Sequence, residues 1–273
     1  MREVGSPVIV LAAGGLDALL KWESVQPQLA ALTRVCSFDA PGFGWSERAK
    51  VVSFRQTAID LHTALHNALV DGPYVSVGHS NGGLVAQAFI HLYRDQVVGV
   101  VFDDSVSPKE SVQFPKRFET SSLVRGFGKL AVRMGLLKQI CKETAACPDC
   151  GKFIDTLTQL SAHYKEAEAA VPNEDPYGDI PLFVLEHDPS AGLSGERDEA
   201  FEKAWIEWQK ELAARSTNSK LEVVSGVGHE IQTVKPALVV DAVQWVLARA
   251  KEGTRKNSDD SRRFTKRTVT KSA

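Results

Sequence analysis

Residues 77–83 read Val-Gly-His-Ser-Asn-Gly-Gly and put an alcohol at the centre of a G-x-S-x-G pattern, Gly78-His79-Ser80-Asn81-Gly82. An apolar run ends just before it at Val77, and a helix-like run begins just after it at Leu84. A chain that leaves a strand and enters a helix within so few residues must turn sharply. The central residue is then held in a strained backbone conformation, and side chains two places to either side would collide, which is what glycine avoids. The turn lifts the hydroxyl clear of the sheet and sets it at a helix N-terminus, where free N–H groups and the helix dipole favour developing negative charge.

A serine hydroxyl attacks a carbonyl only if a base removes its proton. Gly226-Val227-Gly228-His229 follows a strand-like run at 221–224 and precedes the last helical pattern, so His229 lies in a loop at the C-terminal end of a strand. A neighbour of Ser80 has to come from such a position. The other histidines fit less well. His62 and His66 share a helix at i, i+4, His91 is in mid-helix and His163 lies in a long interval without strands. His79 is turned away by the elbow itself. His187, at another strand end, is the second choice.

The elements that must position these groups alternate. Apolar runs at 8–11, 35–38, 73–77, 97–102, 182–185 and 221–224 read as strands, and their continuity suits strands covered on both faces. Between them lie helical stripes: Ala58, Leu61, Leu65 and Leu69; Phe201, Trp205, Trp208 and Leu212; and Val239, Val243 and Val246 after Pro236. This order predicts an α/β fold with a doubly wound, mostly parallel sheet.

One interval breaks the alternation. Residues 106–179 contain no convincing strand but carry a helical stripe of Leu130, Met134, Leu137 and Cys141, which predicts a helical cap inserted into a core of residues 1–105 and 180–250. Cys147-Pro148-Asp149-Cys150, near Cys141, has half the ligands of a zinc site and no second pair, so free cysteines are expected there and no metal. From Lys251 to Ala273, eight Lys/Arg stand against three Asp/Glu, a basic tail of +5 whose composition predicts disorder.

The chain of 273 residues carries a net charge of −2, which argues against nucleic acid as a partner. No apolar run reaches the roughly 18 residues of a membrane span, and the first residues lack the apolar region of a secretory signal. Four cysteines make no disulfide framework at this length, and a cytoplasmic location is expected.

Four stretches in one order carry a resemblance: Val10-Leu11-Ala12-Ala13-Gly14-Gly15; Asp39-Ala40-Pro41-Gly42-Phe43-Gly44-Trp45-Ser46; Gly78-His79-Ser80-Asn81-Gly82-Gly83; and Gly226-Val227-Gly228-His229. With them the chain resembles the α/β-hydrolase superfamily over most of its length up to about residue 250. The resemblance implies a Ser–His–acid triad under a cap. It also implies an oxyanion hole made by the backbone N–H of Asn81 and one from the loop after the first strand, at Gly15. Many members carry His-Gly in that loop where this chain has Ala13-Gly14, and a backbone donor survives the difference.

In the family the acid commonly follows the strand before the histidine's strand, which here points to Asp188. A minority takes it one strand earlier, where Asp104 stands at a strand end and Asp103 faces the opposite way by strand alternation. Asp104 is favoured, with Asp188 as the alternative. Family members also carry strands ahead of the one at 8–11, so N-terminal edge strands are expected to be missing.

The resemblance implies a serine hydrolase acting on a small, hydrophobic ester. A carbon–carbon, lactone or amide hydrolase of the same fold, or a non-catalytic small-ligand receptor on the same scaffold, are the alternatives. Relatives that open epoxides or remove halogens use a carboxylate at the elbow, so Ser80 speaks against those reactions. No cofactor is implied, and the expected partner is a small ester-like molecule.

Overall fold

The computed structural model describes residues 7–15, 17–47, 49, 53–114, 176–191 and 199–269, with side chains as far as residue 252. Most of the expected cap, and with it Cys141, Cys147, Cys150 and His163, lies outside the described residues.

Along the chain run β1 (Val8–Ala12), α1 (Gln26–Ala30), β2 (Val35–Phe38), α2 (Phe54–Asn67), β3 (Tyr74–His79), α3 (Asn81–Leu92), β4 (Val97–Asp103), α4 (Glu110–Gln113), β5 (Leu182–His187), α5 (Glu199–Ala214), β6 (Ser219–Val224), α6 (Ile231–Val234) and α7 (Pro236–Val269). The strands form one sheet in the order β2-β1-β3-β4-β5-β6, with every neighbouring pair parallel. The chain therefore steps outward from β1 to β2, then crosses back to β3 and continues the other way. Open sheets of this kind bind ligands beyond the carboxyl ends of the strands, at the point where the direction reverses. Here that point lies between the ends of β1 and β3.

The uninterrupted apolar strands have a simple cause. Val8, Val10 and Ala12 pack into one core with Ala58, Leu61 and Leu65 of α2 and the buried face of α3, while Ile9 and Leu11 pack into a second core with Leu29 of α1 and Val239, Val243 and Val246 of α7. Both faces of β1 are dry, so no position on it is left for a polar residue. Each large aliphatic side chain buried this way stabilises the fold by about 1.5–3 kcal/mol. The stripe Phe201, Trp205, Trp208 and Leu212 on α5 is likewise buried in the first core.

Helix α2 starts where Ser53 accepts a hydrogen bond from the Gln56 N–H at 3.0 Å. It stops sooner than the apolar spacing predicts. Leu69, expected on the buried stripe, lies past the helix end at φ 55° and is 81% exposed. Leu69 N–H donates to the His66 carbonyl and Val70 N–H to the Leu65 carbonyl, the paired bonds of a helix-ending motif that wants a left-handed residue at this place. Val70, not Leu69, returns to the core.

Helix α7 begins at Pro236, as expected of a first-turn proline, and its backbone continues as helix to Val269 through residues whose composition predicts disorder. Past Pro236 this stretch has no proline and a single glycine, Gly253, so nothing in it breaks an extension of the helix.

Candidate active site

Ser80 connects β3 to α3 with φ 51° and ψ −122°, outside the regions that residues with a side chain favour. Such a conformation costs on the order of 1–3 kcal/mol and persists only where its surroundings enforce it. Here the surroundings are close-packed backbone. A Cβ on Gly78 would sit 2.6 Å from the Gly82 carbonyl oxygen, and one on Gly82 would sit 2.1 Å from the Ala12 carbonyl oxygen. The Ser80 N–H is held by the Asp103 carbonyl at 3.2 Å. The Ser80 hydroxyl makes no capping bond to α3, so it is not spent on the helix that it starts.

His229 lies against this corner. Its backbone carbonyl accepts a hydrogen bond from His79 Nε2 at 3.0 Å, and the two imidazole rings stand 4.7 Å apart. His79 is the residue just before the serine. With Nε2 as the donor and full burial, its ring is neutral, and burial pushes its pKa down to about 3. The side chain of His229 remains 21% exposed, within reach of a ligand.

The other ring nitrogen of His229 faces Asp104. Nδ1 lies 2.6 Å from Asp104 Oδ2. The pairing of β3 with β4, His79 opposite Asp103, sets Ser80 and Asp104 side by side just past their strands. Asp104 is fully buried and, like Ser80, has a left-handed backbone, at φ 46°. Four donors converge on its carboxylate: His229 Nδ1, His187 Nδ1 at 2.9 Å, the His187 backbone N–H at 3.1 Å and Trp205 Nε1 at 2.9 Å. Burial alone would raise its pKa. The hydrogen bonds from His187 and His229 overcome burial and hold Asp104 ionised, well below the usual carboxylate range.

Asp103 shows the opposite case one residue earlier. It is fully buried, neither of its oxygens has a hydrogen-bond partner among the described residues, and burial raises its pKa well above the usual range.

A family model described as "alpha/beta hydrolase fold" matches residues 7–131. The chain has the α/β-hydrolase fold. It is 31% identical over 227 residues to a protein of Schizosaccharomyces pombe, a match that covers 76% of this chain and 40% of that one. The chain thus spans about two fifths of the length of that relative. Among solved structures it resembles a thermophilic esterase from Thermogutta terrifontis, with a TM-score of 0.62, 21% identity, and 90% of this chain and 91% of that chain covered. It also resembles the epoxide hydrolase CorEH, with a TM-score of 0.64, 18% identity, and 90% and 93% covered.

In this fold the loop after β1 folds over the elbow. A Cβ on Gly14 would meet His79 Nδ1 at 3.0 Å and Ser80 Cβ at 3.1 Å, and one on Gly15 would meet Asn81 Nδ2 at 2.1 Å. Gly15 and Asn81, the residues expected to supply N–H donors, are therefore neighbours. Lys21 pairs with Glu230 at 2.7 Å, tying the segment after β1 to the residue that follows His229.

Asp188, the alternative acid, is engaged elsewhere. It accepts from the Gly226 N–H at 2.7 Å, the Ser190 N–H at 2.8 Å and the Ser190 hydroxyl at 2.6 Å, and the Gly226 N–H above all lowers its pKa to about 2. It shapes the loop leading to His229 and has no hydrogen bond to that ring among the described residues.

Three participants have parts that the sequence does not show. Trp205 is there only a member of the apolar stripe, His187 only a second-choice base, and Glu202 carries no signal of its own. That His187 and Trp205 grip Asp104, with Glu202 holding the far side of the His187 ring, depends on α5 packing over the end of β5, which no local pattern records. Among the described residues no group of three or more His, Cys, Asp or Glu side chains is arranged to hold a metal, and no helix is long and apolar enough to cross a membrane.

Proposed function

We propose that the protein is a serine hydrolase that cleaves a small, hydrophobic ester through an acyl-enzyme. Ser80 Oγ attacks the carbonyl carbon while His229 Nε2 takes the hydroxyl proton. The tetrahedral oxyanion is met by the N–H groups of Asn81 and Gly15, donors of a kind worth about 10²–10³ in rate each. His229 returns the proton to the leaving alcohol oxygen as the carbon–oxygen bond breaks. Water, deprotonated by the same ring, then attacks the acyl-serine and frees the acid. Asp104 orients His229 through Nδ1 and stabilises its charged form, without taking the proton.

The observation that carries this reading is the 2.6 Å contact between His229 Nδ1 and Asp104, made by a histidine bonded through its own carbonyl to the residue before a strained serine. A ligand-binding scaffold has no use for an oriented imidazole beside a strained alcohol. The likeness to an esterase fits the reading and does not choose the substrate.

The test is turnover of short-chain p-nitrophenyl esters together with labelling by a fluorophosphonate. Hydrolysis abolished in Ser80→Ala, with the label on Ser80 by mass spectrometry, is expected. Tight binding of an ester without turnover, and no label, would assign the scaffold to a receptor instead.

A further inference from the structure

Asp104 is shared by two imidazoles, and only His229 has a part in the proposed reaction. The second, His187, ends β5 and is 1% exposed. Its Nδ1 lies 2.9 Å and 3.0 Å from the two oxygens of Asp104, and its Nε2 lies 2.8 Å from Glu202 Oε2 on α5. A neutral imidazole has one N–H to donate. Two carboxylates at opposite ends of one ring are both satisfied only if both nitrogens carry protons, so His187 is a cation. We propose that His187 is a positioning residue, an imidazolium clamped between Asp104 and Glu202 that holds the Asp104 carboxylate aimed at His229. This proposal rests on the reading of Ser80, His229 and Asp104 as a triad.

The positioning follows from where the bonds fall. Asp104 Oδ1 receives the His187 ring, the His187 backbone N–H and the Trp205 indole N–H, all from residues that are themselves buried. The carboxylate cannot rotate without breaking these, and Oδ2 stays directed at His229.

The groups facing His187 favour its cationic form: Asp104 from the end of β4 and Glu202 from α5, with Glu186 beside it on β5; Trp205 of α5 and His229 complete its surroundings. Burial opposes that form, and the hydrogen bonds that the ring donates to Asp104 and Glu202 overcome it, raising His187 to about 9.

The test compares kcat and KM for a p-nitrophenyl ester in the full chain and in His187→Asn, which keeps a neutral N–H for Asp104 and removes the charge. A fall in kcat of about 10–100-fold with KM unchanged is expected, as for a small misplacement of the group that Asp104 orients. An unchanged kcat, or kcat and KM altered together, would overturn the role of His187 and leave the triad standing. A Ser80→Ala chain as active as the wild type would overturn the triad, and this proposal with it.

A second measurement needs no variant. Nitrogen-15 NMR of the histidine rings in the full chain should show both His187 nitrogens protonated at pH 7.5, with loss of a proton near pH 9. A neutral His187 ring at pH 7.5 overturns the proposal.

Discussion

His229 and His187 approach the same carboxylate, Asp104, at 2.6 Å and 2.9 Å, the first from the loop after β6 and the second from the last residue of β5. The carboxylate is thus the fixed point of the site, and the two rings are held relative to it. Replacement of Asp104 by Asn should leave the fold in place but present the wrong partner to His229 Nδ1. A drop in kcat of about 10⁴ is expected. Asp188→Asn, which disturbs only the loop contacts to Ser190 and Gly226, should cost less than about tenfold by the same comparison. Steady-state kinetics of the two variants decide the acid, and an inactive Asp188→Asn beside an active Asp104→Asn reverses the assignment.

His79 fastens the loop that carries His229, through a 3.0 Å bond to its carbonyl. His79→Phe keeps a ring of similar breadth and deletes the donor. The freed loop should lower kcat by about 10–100-fold while KM changes little, because small misplacement of a base is costly. An unchanged kcat would show that Lys21–Glu230 and the surrounding packing hold the loop unaided.

Trp205 donates to Asp104 from a fully buried position. Trp205→Phe retains much of the packing against Phe201 and Trp208 but leaves one lone pair of a buried carboxylate unmatched. A loss of about 1–3 kcal/mol in urea unfolding is expected, together with a several-fold fall in kcat. A stability loss with kcat untouched would confine the indole to packing.

Leu69 holds a left-handed conformation at the end of α2 and is 81% exposed, so its side chain contributes little there. Leu69→Gly removes the backbone penalty and should raise stability by about 0.5–1 kcal/mol, after allowance for the greater freedom of glycine in the unfolded chain. The urea midpoint should rise without a change in slope, and a fall would mean that Leu69 makes contacts outside the described residues.

Stability should also depend on pH through two histidines of opposite behaviour. His187 has its folded pKa raised to about 9. Its contribution is complete below the unfolded value of about 6.5 and is lost as pH rises through 9. His79 has its folded pKa lowered to about 3. Its contribution is complete above about 6.5 and is lost as pH falls towards 3. Thermal unfolding should therefore peak near pH 6.5, and His187→Asn should flatten the alkaline side. A melting temperature independent of pH between 6.5 and 9 would contradict the alkaline half.

How much of this was legible beforehand varies residue by residue. Continuous apolar runs located all six strands, because a strand dry on both faces has nowhere to put a polar residue. Their ends were less accurate: β6 begins at Ser219 and not at Leu221, since sheet pairing extends past the apolar stretch. The stripe on α2 ran one position too far, because Leu69 has the spacing of a core residue but the backbone of a helix terminator. Alternation also separated Asp103 from Asp104, and their surroundings push the pKa values of these two consecutive residues in opposite directions.

The sequence by itself determined the α/β alternation, the elbow at Ser80 and the loop position of His229, because each depends on residues within a few places of one another: glycines where a Cβ would strike backbone, and apolar runs where two faces are covered. Tertiary structure alone decided which carboxylate meets His229 and what else that carboxylate meets. Asp104 and Asp188 each stand one place past a strand, and the preference for Asp104 came from the family resemblance and not from which of them could reach His229. The register of β4 against β5 and the packing of α5 across their ends bring His187, Glu202 and Trp205 to Asp104, while Asp188 is left to the backbone of its own loop. Charge in a protein interior is settled by neighbours in space, and those neighbours come from segments up to 125 positions apart in the chain.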